Sequence, residues 1–164
     1  MSDFLLFNKK ISNYTYGNGA PTCSLMARKD VFIEVGCFDT KLSRQEDVDF
    51  AIRLGFKGGH FIGVPEKVVN QYTTSRPNKS AEIELENSMY ILIKNSEYLK
   101  NKNVFNYILN WTKFRYNCFS GKFLNALMLG AFLFFKYPKR MIFHFSDSGF
   151  RRIFHELRIK KTKT

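Results

Sequence analysis

Cysteine is scarce in this 164-residue chain, and the three copies form no motif. Cys23, Cys37 and Cys118 are odd in number, far apart and without a Cys-x-x-Cys pair, which argues against a zinc site and a disulfide framework. That usage fits a reducing compartment. The start, Met1 to Lys10, lacks a basic stretch followed by a long apolar one, so no signal peptide is expected. The sequons at Asn13, Asn78 and Asn110 carry no meaning without secretion and read as chance. Long apolar runs are missing too. The most apolar stretch, Phe123 to Phe135, falls short of the roughly 20 residues that span a bilayer. Acid is in short supply, with 14 Asp/Glu against 26 Lys/Arg and a net charge of +12. Charged residues at 24% and hydrophobic ones at 45% nevertheless suit a globular chain and exclude wholesale disorder.

The charge is unevenly placed. Residues 1–78 hold ten Lys/Arg against eight Asp/Glu, a net of +2, whereas 79–164 hold sixteen against six, a net of +10. Arg76-Pro77-Asn78-Lys79-Ser80 marks the expected boundary, because Pro77 disfavours helical geometry at Arg76 and the polar residues after it suit a turn. Two parts are therefore expected, 1–78 and 79–164. No internal repeat joins them.

What the first part does have is acid concentrated at one point. Ser43-Arg44-Gln45-Glu46-Asp47-Val48-Asp49 puts three carboxylates into four positions at the start of an expected helix from about Ser43 to Gly55. Ser43 and Glu46 have the spacing of a capping box, and the helix macrodipole favours negative charge there. A capping box uses only Glu46, which leaves Asp47 and Asp49 to hold or move a proton. The same run also reads, without any function, as a solvated acidic first turn. Arg53 lies four residues after Asp49 and is expected to pair with it along the helix.

Around this run, Tyr14 to Ala20 reads as a loop and Cys23 to Ala27 as a short strand. Arg28 to Val35 reads as a short packing helix with Val31, Phe32 and Val35 on one face, stopped by Gly36 in a left-handed conformation. On the acidic helix, Val48, Ala51, Ile52 and Gly55 fall on one side. Gly58-Gly59 ends it and leads into an expected strand, His60 to Val64.

Taken in order, Arg28, the short helix, Gly36-Cys37-Phe38-Asp39, Glu46-Asp47-Val48-Asp49 and Arg53-Leu54 resemble the C-terminal half of family 2 glycosyltransferases and the related galactosyltransferase C-terminal region. The match runs over roughly residues 14–75, and its specificity lies in the ordered combination. The resemblance implies an α/β fold: a partial, Rossmann-like GT-A domain followed by a mostly helical basic tail. It implies transfer of a sugar from a nucleotide-sugar donor to a glycan or lipid-linked acceptor in cell-surface polysaccharide synthesis. Asp47 would be the catalytic base, with Glu46, Asp49 and Arg53 binding the acceptor or supporting the base. General-base help of this kind is worth about 10²- to 10⁴-fold.

The departures from the pattern are informative. Cys37 stands where the family has a second Gly, and Val69-Asn70-Gln71-Tyr72 where many relatives carry a metal-binding His. No metal ligand is therefore assigned here, and no cofactor-binding residue. Only Met1 to Asn13 precede the matching segment, with no Gly-rich phosphate loop and no earlier Asp-x-Asp. The N-terminal nucleotide-binding half, with the Mg or Mn ion implied for the complete enzyme, is thus expected on a separately encoded partner, this chain being a truncated or split product.

The second part has another character. From residue 101 onward, thirteen Lys/Arg face two acids and 15 of the 27 aromatic residues are found. Residues 82–100 read as a helix, and Phe123 to Phe135 as a buried hairpin helix or an interfacial segment between Lys122 and Lys136. Cations among rings suit an anionic membrane surface, which implies a cytoplasmic protein held peripherally at the inner face of the cell membrane. An ordinary helical core with a basic exterior fits equally well. Nucleic acid is disfavoured by the lack of any recognisable binding motif. The alternative to an enzyme is a catalytically inactive membrane-surface or interaction module that keeps part of the fold.

Overall fold

The computed structural model describes residues 1–7, 21–63, 69–70 and 80–144. They form eight α-helices: α1 (Ser2–Phe7), α2 (Lys29–Val35), α3 (Glu46–Phe56), α4 (Ala81–Lys94), α5 (Ser96–Asn101), α6 (Phe105–Phe119), α7 (Phe123–Lys136) and α8 (Pro138–His144). A 3-10 turn, Thr22–Ser24, precedes α2. The chain divides into two compact units, Met1–Thr112 and Lys113–Thr164, so the division falls within α6. Residues 71–79, which include most of the boundary read from composition, lie outside the described residues.

The expected α/β, Rossmann-like GT-A architecture is not adopted. Of the described residues 71% are helical, and among them there is no strand or sheet, Phe61 alone making an isolated β-bridge. Leu25 and Arg28 do have extended backbone angles. A strand is stabilised by a neighbouring strand, however, and Met26 between them is 94% exposed, so nothing covers it. His60 to Gly63 likewise forms no strand, and Val64 lies outside the described residues. The apolar side chains of the first unit are buried by helix packing instead.

The centre of that unit is α3, whose Phe50, Ala51 and Ile52 are almost completely buried. Their succession reflects packing on more than one side. The rings of Phe32, Phe38 and Phe50 lie 5.0–5.7 Å apart between α2, the following turn and α3. On another side, α1 lies directly against α3: the Ser2 hydroxyl donates to the Ile52 carbonyl at 2.9 Å. Gly55 permits that approach, since a Cβ there would stand 2.4 Å from Ser2 Oγ. The Asp3 carboxylate accepts from the Tyr98 hydroxyl and ties α1 to α5.

The short helix stops as its sequence implies. Gly36 has φ +92°, Cys37 N–H donates to Phe32 O at 2.7 Å, and Gly36 N–H to Ile33 O at 3.0 Å. These two bonds make the Schellman arrangement that satisfies the last carbonyls of a helix. The start of α3 differs from expectation. The helix begins at Glu46, with Gln45 at φ +63° in the cap position and no side-chain cap bond. Ser43 is not its cap, because its Oγ accepts from Asn87 Nδ2 of α4 at 3.2 Å. The expected single helix 82–100 is two, α4 and α5, with Ser80 capping α4 through a 3.1 Å bond from Ile83 N–H.

In the second unit, Ala126 and Leu133 are the buried residues of α7, and Met141 and His144 those of α8. Gly130 gives the Phe114 ring room, since a Cβ would meet it at 3.0 Å. Pro138 opens α8, where its missing N–H costs nothing.

Candidate functional site

The acidic run lies at the N-terminus of α3, beside α4. Gln45 Nε2 donates to Ser88 Oγ at 3.0 Å, which together with the Ser43–Asn87 bond fixes the approach to α3 against α4. Between them opens a polar cleft of about 390 Å³, lined by Ser43, Arg44, Gln45, Glu46, Asp47 and Glu84. Three carboxylates therefore face one small space, together with a guanidinium. The free backbone N–H groups of the first turn of α3 lie there too.

The carboxylates of the run have separate fates. Asp47 is half-buried and lines the cleft, and its Oδ1 accepts from Val48 N–H at 2.8 Å. Among the described residues no cation pairs with it. Glu46 also lines the cleft, but its Oε1 accepts from the Thr22 hydroxyl at 2.8 Å and so fastens the 3-10 turn to α3. Asp49 is fully buried and absent from the cleft lining. Its Oδ2 takes Arg53 Nε at 2.8 Å, and Lys94 Nζ lies 2.9 Å from Oδ1 as an ion pair outside hydrogen-bond angles. Asp49 is thus shut off from the cleft.

Arg53 is structural in its contacts. Besides Asp49, its guanidinium donates to the carbonyls of Val35 at 2.5 Å and Cys37 at 2.6 Å, bracketing Gly36. It therefore locks the end of α2 to α3. The planar fork of Arg, with several donors in fixed directions, suits this three-way grip.

Lys94, in the last turn of α4, was not singled out by sequence reasoning, yet it joins two acids. Its ammonium lies 2.8 Å from Asp39 Oδ2 and 2.9 Å from Asp49 Oδ1. Burial pushes Lys94 towards the neutral form, but its hydrogen bond to Asp39 and the adjacent Asp49 carboxylate outweigh that and raise it above the ordinary value. Asp39 also accepts from Tyr90 Oη at 3.1 Å and Lys41 N–H at 3.1 Å. The Lys94 bond, helped by these, holds its carboxyl down to about 2. The only sequence signal for this network is the four-residue spacing of Tyr90 and Lys94, which puts both on one face of α4. Glu84, the sixth residue of the cleft, carried no signal at all.

Among the described residues there is no group of three or more His, Cys, Asp or Glu placed to hold a metal ion. Val69 and Asn70 are exposed, while Gln71 and Tyr72 lie outside the described residues. Compared with protein-family models, with curated proteins and with solved structures, the chain matches none. Among the described residues no helix is long and apolar enough to cross a membrane.

Proposed function

We propose that this chain supplies the acceptor-side residues of a glycosyltransferase, with Asp47 as the base. The observation that supports this reading is the separation of roles in the acidic run. Asp49 and Glu46 are taken up by structural bonds, and Asp47 lines an open polar cleft with no ion pair to it among the described residues. An acceptor hydroxyl in that cleft would lose its proton to the Asp47 carboxylate as its oxygen bonds to the anomeric carbon. The bond from that carbon to the nucleoside diphosphate breaks in the same step, and the diphosphate leaves with the electron pair. Arg44 and Glu84 line the same space, and in this reading they would bind neighbouring sugar hydroxyls.

The donor is a nucleotide-sugar and the acceptor a glycan or lipid-linked sugar. A separately encoded nucleotide-binding half, with its Mg or Mn ion, belongs to the same proposal, as does a peripheral position at the inner face of the cell membrane. The test is incorporation of labelled sugar from nucleotide-sugars into polymer or lipid in permeabilised source cells whose own copy is replaced by the wild-type chain or by Asp47→Asn. Loss of incorporation with the variant, at equal protein level, is the expected result. Undiminished incorporation would leave the competing reading, an inactive membrane-surface or interaction module.

A further inference from the structure

The most unusual surface of the molecule lies on α7. With about 100° between successive residues of an α-helix, Phe123, Leu124, Leu127, Met128, Phe134 and Phe135 fall within less than half of the circumference. Each is between 50% and 83% exposed, while Ala126 and Leu133 on the other side are buried. Ala131 and Phe132 fill the remaining exposed positions of that face, so no polar residue interrupts it. A contiguous apolar face of this kind on a folded protein marks a place where something docks.

We infer that α7 is an in-plane anchor that beds its exposed face into the surface of an anionic lipid bilayer. The inference deepens the peripheral location proposed above and rests on that location, not on Asp47. Charge complementarity selects the occupant. From Lys113 to His144 the chain has six Lys/Arg and no Asp or Glu. Lys122 stands just before α7 and Lys136 closes it, with Lys139 and Arg140 following in α8. A second copy docked on the same face would bring these cations together with no acid among residues 113–144 to separate them. Anionic headgroups neutralise them. Nucleic acid would satisfy the cations but offers no place for Leu124, Leu127 and Met128.

The dimensions fit the same conclusion. Fourteen residues make a helix of about 21 Å, shorter than the roughly 30 Å hydrocarbon core, so α7 lies along the interface. Lys136 Nζ is 5.2 Å from the Phe132 ring centroid and 5.7 Å from that of Tyr137. Its ammonium thus stands against aromatic rings beyond one edge of the apolar face, where a long cationic side chain can reach the headgroups. On α8, Ile142 is also exposed.

The full chain is tested by flotation with vesicles of phosphatidylcholine alone or with about one third phosphatidylglycerol, the latter fraction being set by the need for an anionic surface. Binding to the anionic vesicles, weakened by salt, is expected. Leu127→Glu with Met128→Glu, both at exposed positions, should lower it by about tenfold or more with an unchanged circular dichroism spectrum. Asp47→Asn should bind vesicles as the wild type does, which separates this inference from the catalytic one. Vesicle binding unaffected by the double substitution overturns the inference. So does wild-type protein that stays with neither vesicle, whether it then forms a dimer that the double substitution dissolves or binds oligonucleotides instead.

Discussion

Asp47 and Asp49 are separated by one residue on α3 and have opposite surroundings: Asp47 lines an open cleft, whereas Asp49 is sealed between Arg53 and Lys94. An α-helix turns by about 200° over two residues, so one run of acid serves two faces. The capping and dipole arguments apply to both residues, and only their neighbours separate them.

Exchange to Asn at the two positions should therefore part stability from activity. Asp49→Asn removes a buried charge that faces two cations and should destabilise the fold by about 3 kcal/mol. Asp47→Asn should change stability by less than about 0.5 kcal/mol while lowering transfer by about 10²- to 10⁴-fold. Urea unfolding and sugar incorporation, measured on both variants, read the two effects. Equal loss of stability in both variants would contradict the separate placement of the two carboxylates.

Arg53→Lys retains the positive charge near Asp49 but cannot also reach the carbonyls of Val35 and Cys37. Two bonds to carbonyl groups are lost, at a cost of about 1–3 kcal/mol. Urea unfolding of the Lys variant should show this cost, and a variant as stable as the wild type would mean that the charge alone matters.

Gly36→Ala isolates the backbone contribution at the same point. A Cβ at Gly36 would meet Arg53 Nη1 at 3.4 Å, an ordinary contact, so the effect comes from φ +92°. A left-handed conformation costs a non-glycine residue about 1–2 kcal/mol. The melting temperature of the Ala variant should fall accordingly, with Asp47 and its cleft unaffected.

The helical pieces of this fold were legible where a local rule decides them. Gly36 after Val35, the Asp49–Arg53 spacing and the apolar length of α7 each follow from covalent geometry or helical period. The sheet expected over Cys23–Ala27 and His60–Val64 depends on a partner strand, a property of no segment by itself. Met26, exposed in the extended stretch, shows how an apolar residue can suit a strand without forming one. Ser43 was misread for a related reason: its spacing to Glu46 permits a cap, but the competing donor, Asn87, lies 44 residues away. Tertiary partners of this kind also hid the bridge that Lys94 makes between Asp39 and Asp49.

The same network sets the pH range over which the first unit is stable. Asp39 is held at about 2 against an ordinary 3.8, chiefly by its bond from Lys94. A depressed carboxyl stabilises the fold above its unfolded value and loses that contribution as pH falls, here from near 3.8 towards about 2. Tyr98 has the opposite sense. It donates to Asp3, a bond that a phenolate cannot make, and is raised from 10.0 to about 12. A raised group contributes fully below its unfolded value, so stability should decline as pH climbs from 10 to 12. The upward shifts of Tyr90, from burial and its bond to Asp39, and of Lys94 act in the same alkaline direction. Chemical denaturation across pH should show a plateau between these limits. Tyr98→Phe should flatten part of the alkaline decline and leave the acid one, whereas Asp39→Asn should lower the plateau and remove much of the acid decline. An alkaline limb identical in wild type and Tyr98→Phe would show that the link from α5 to α1 adds no net stability.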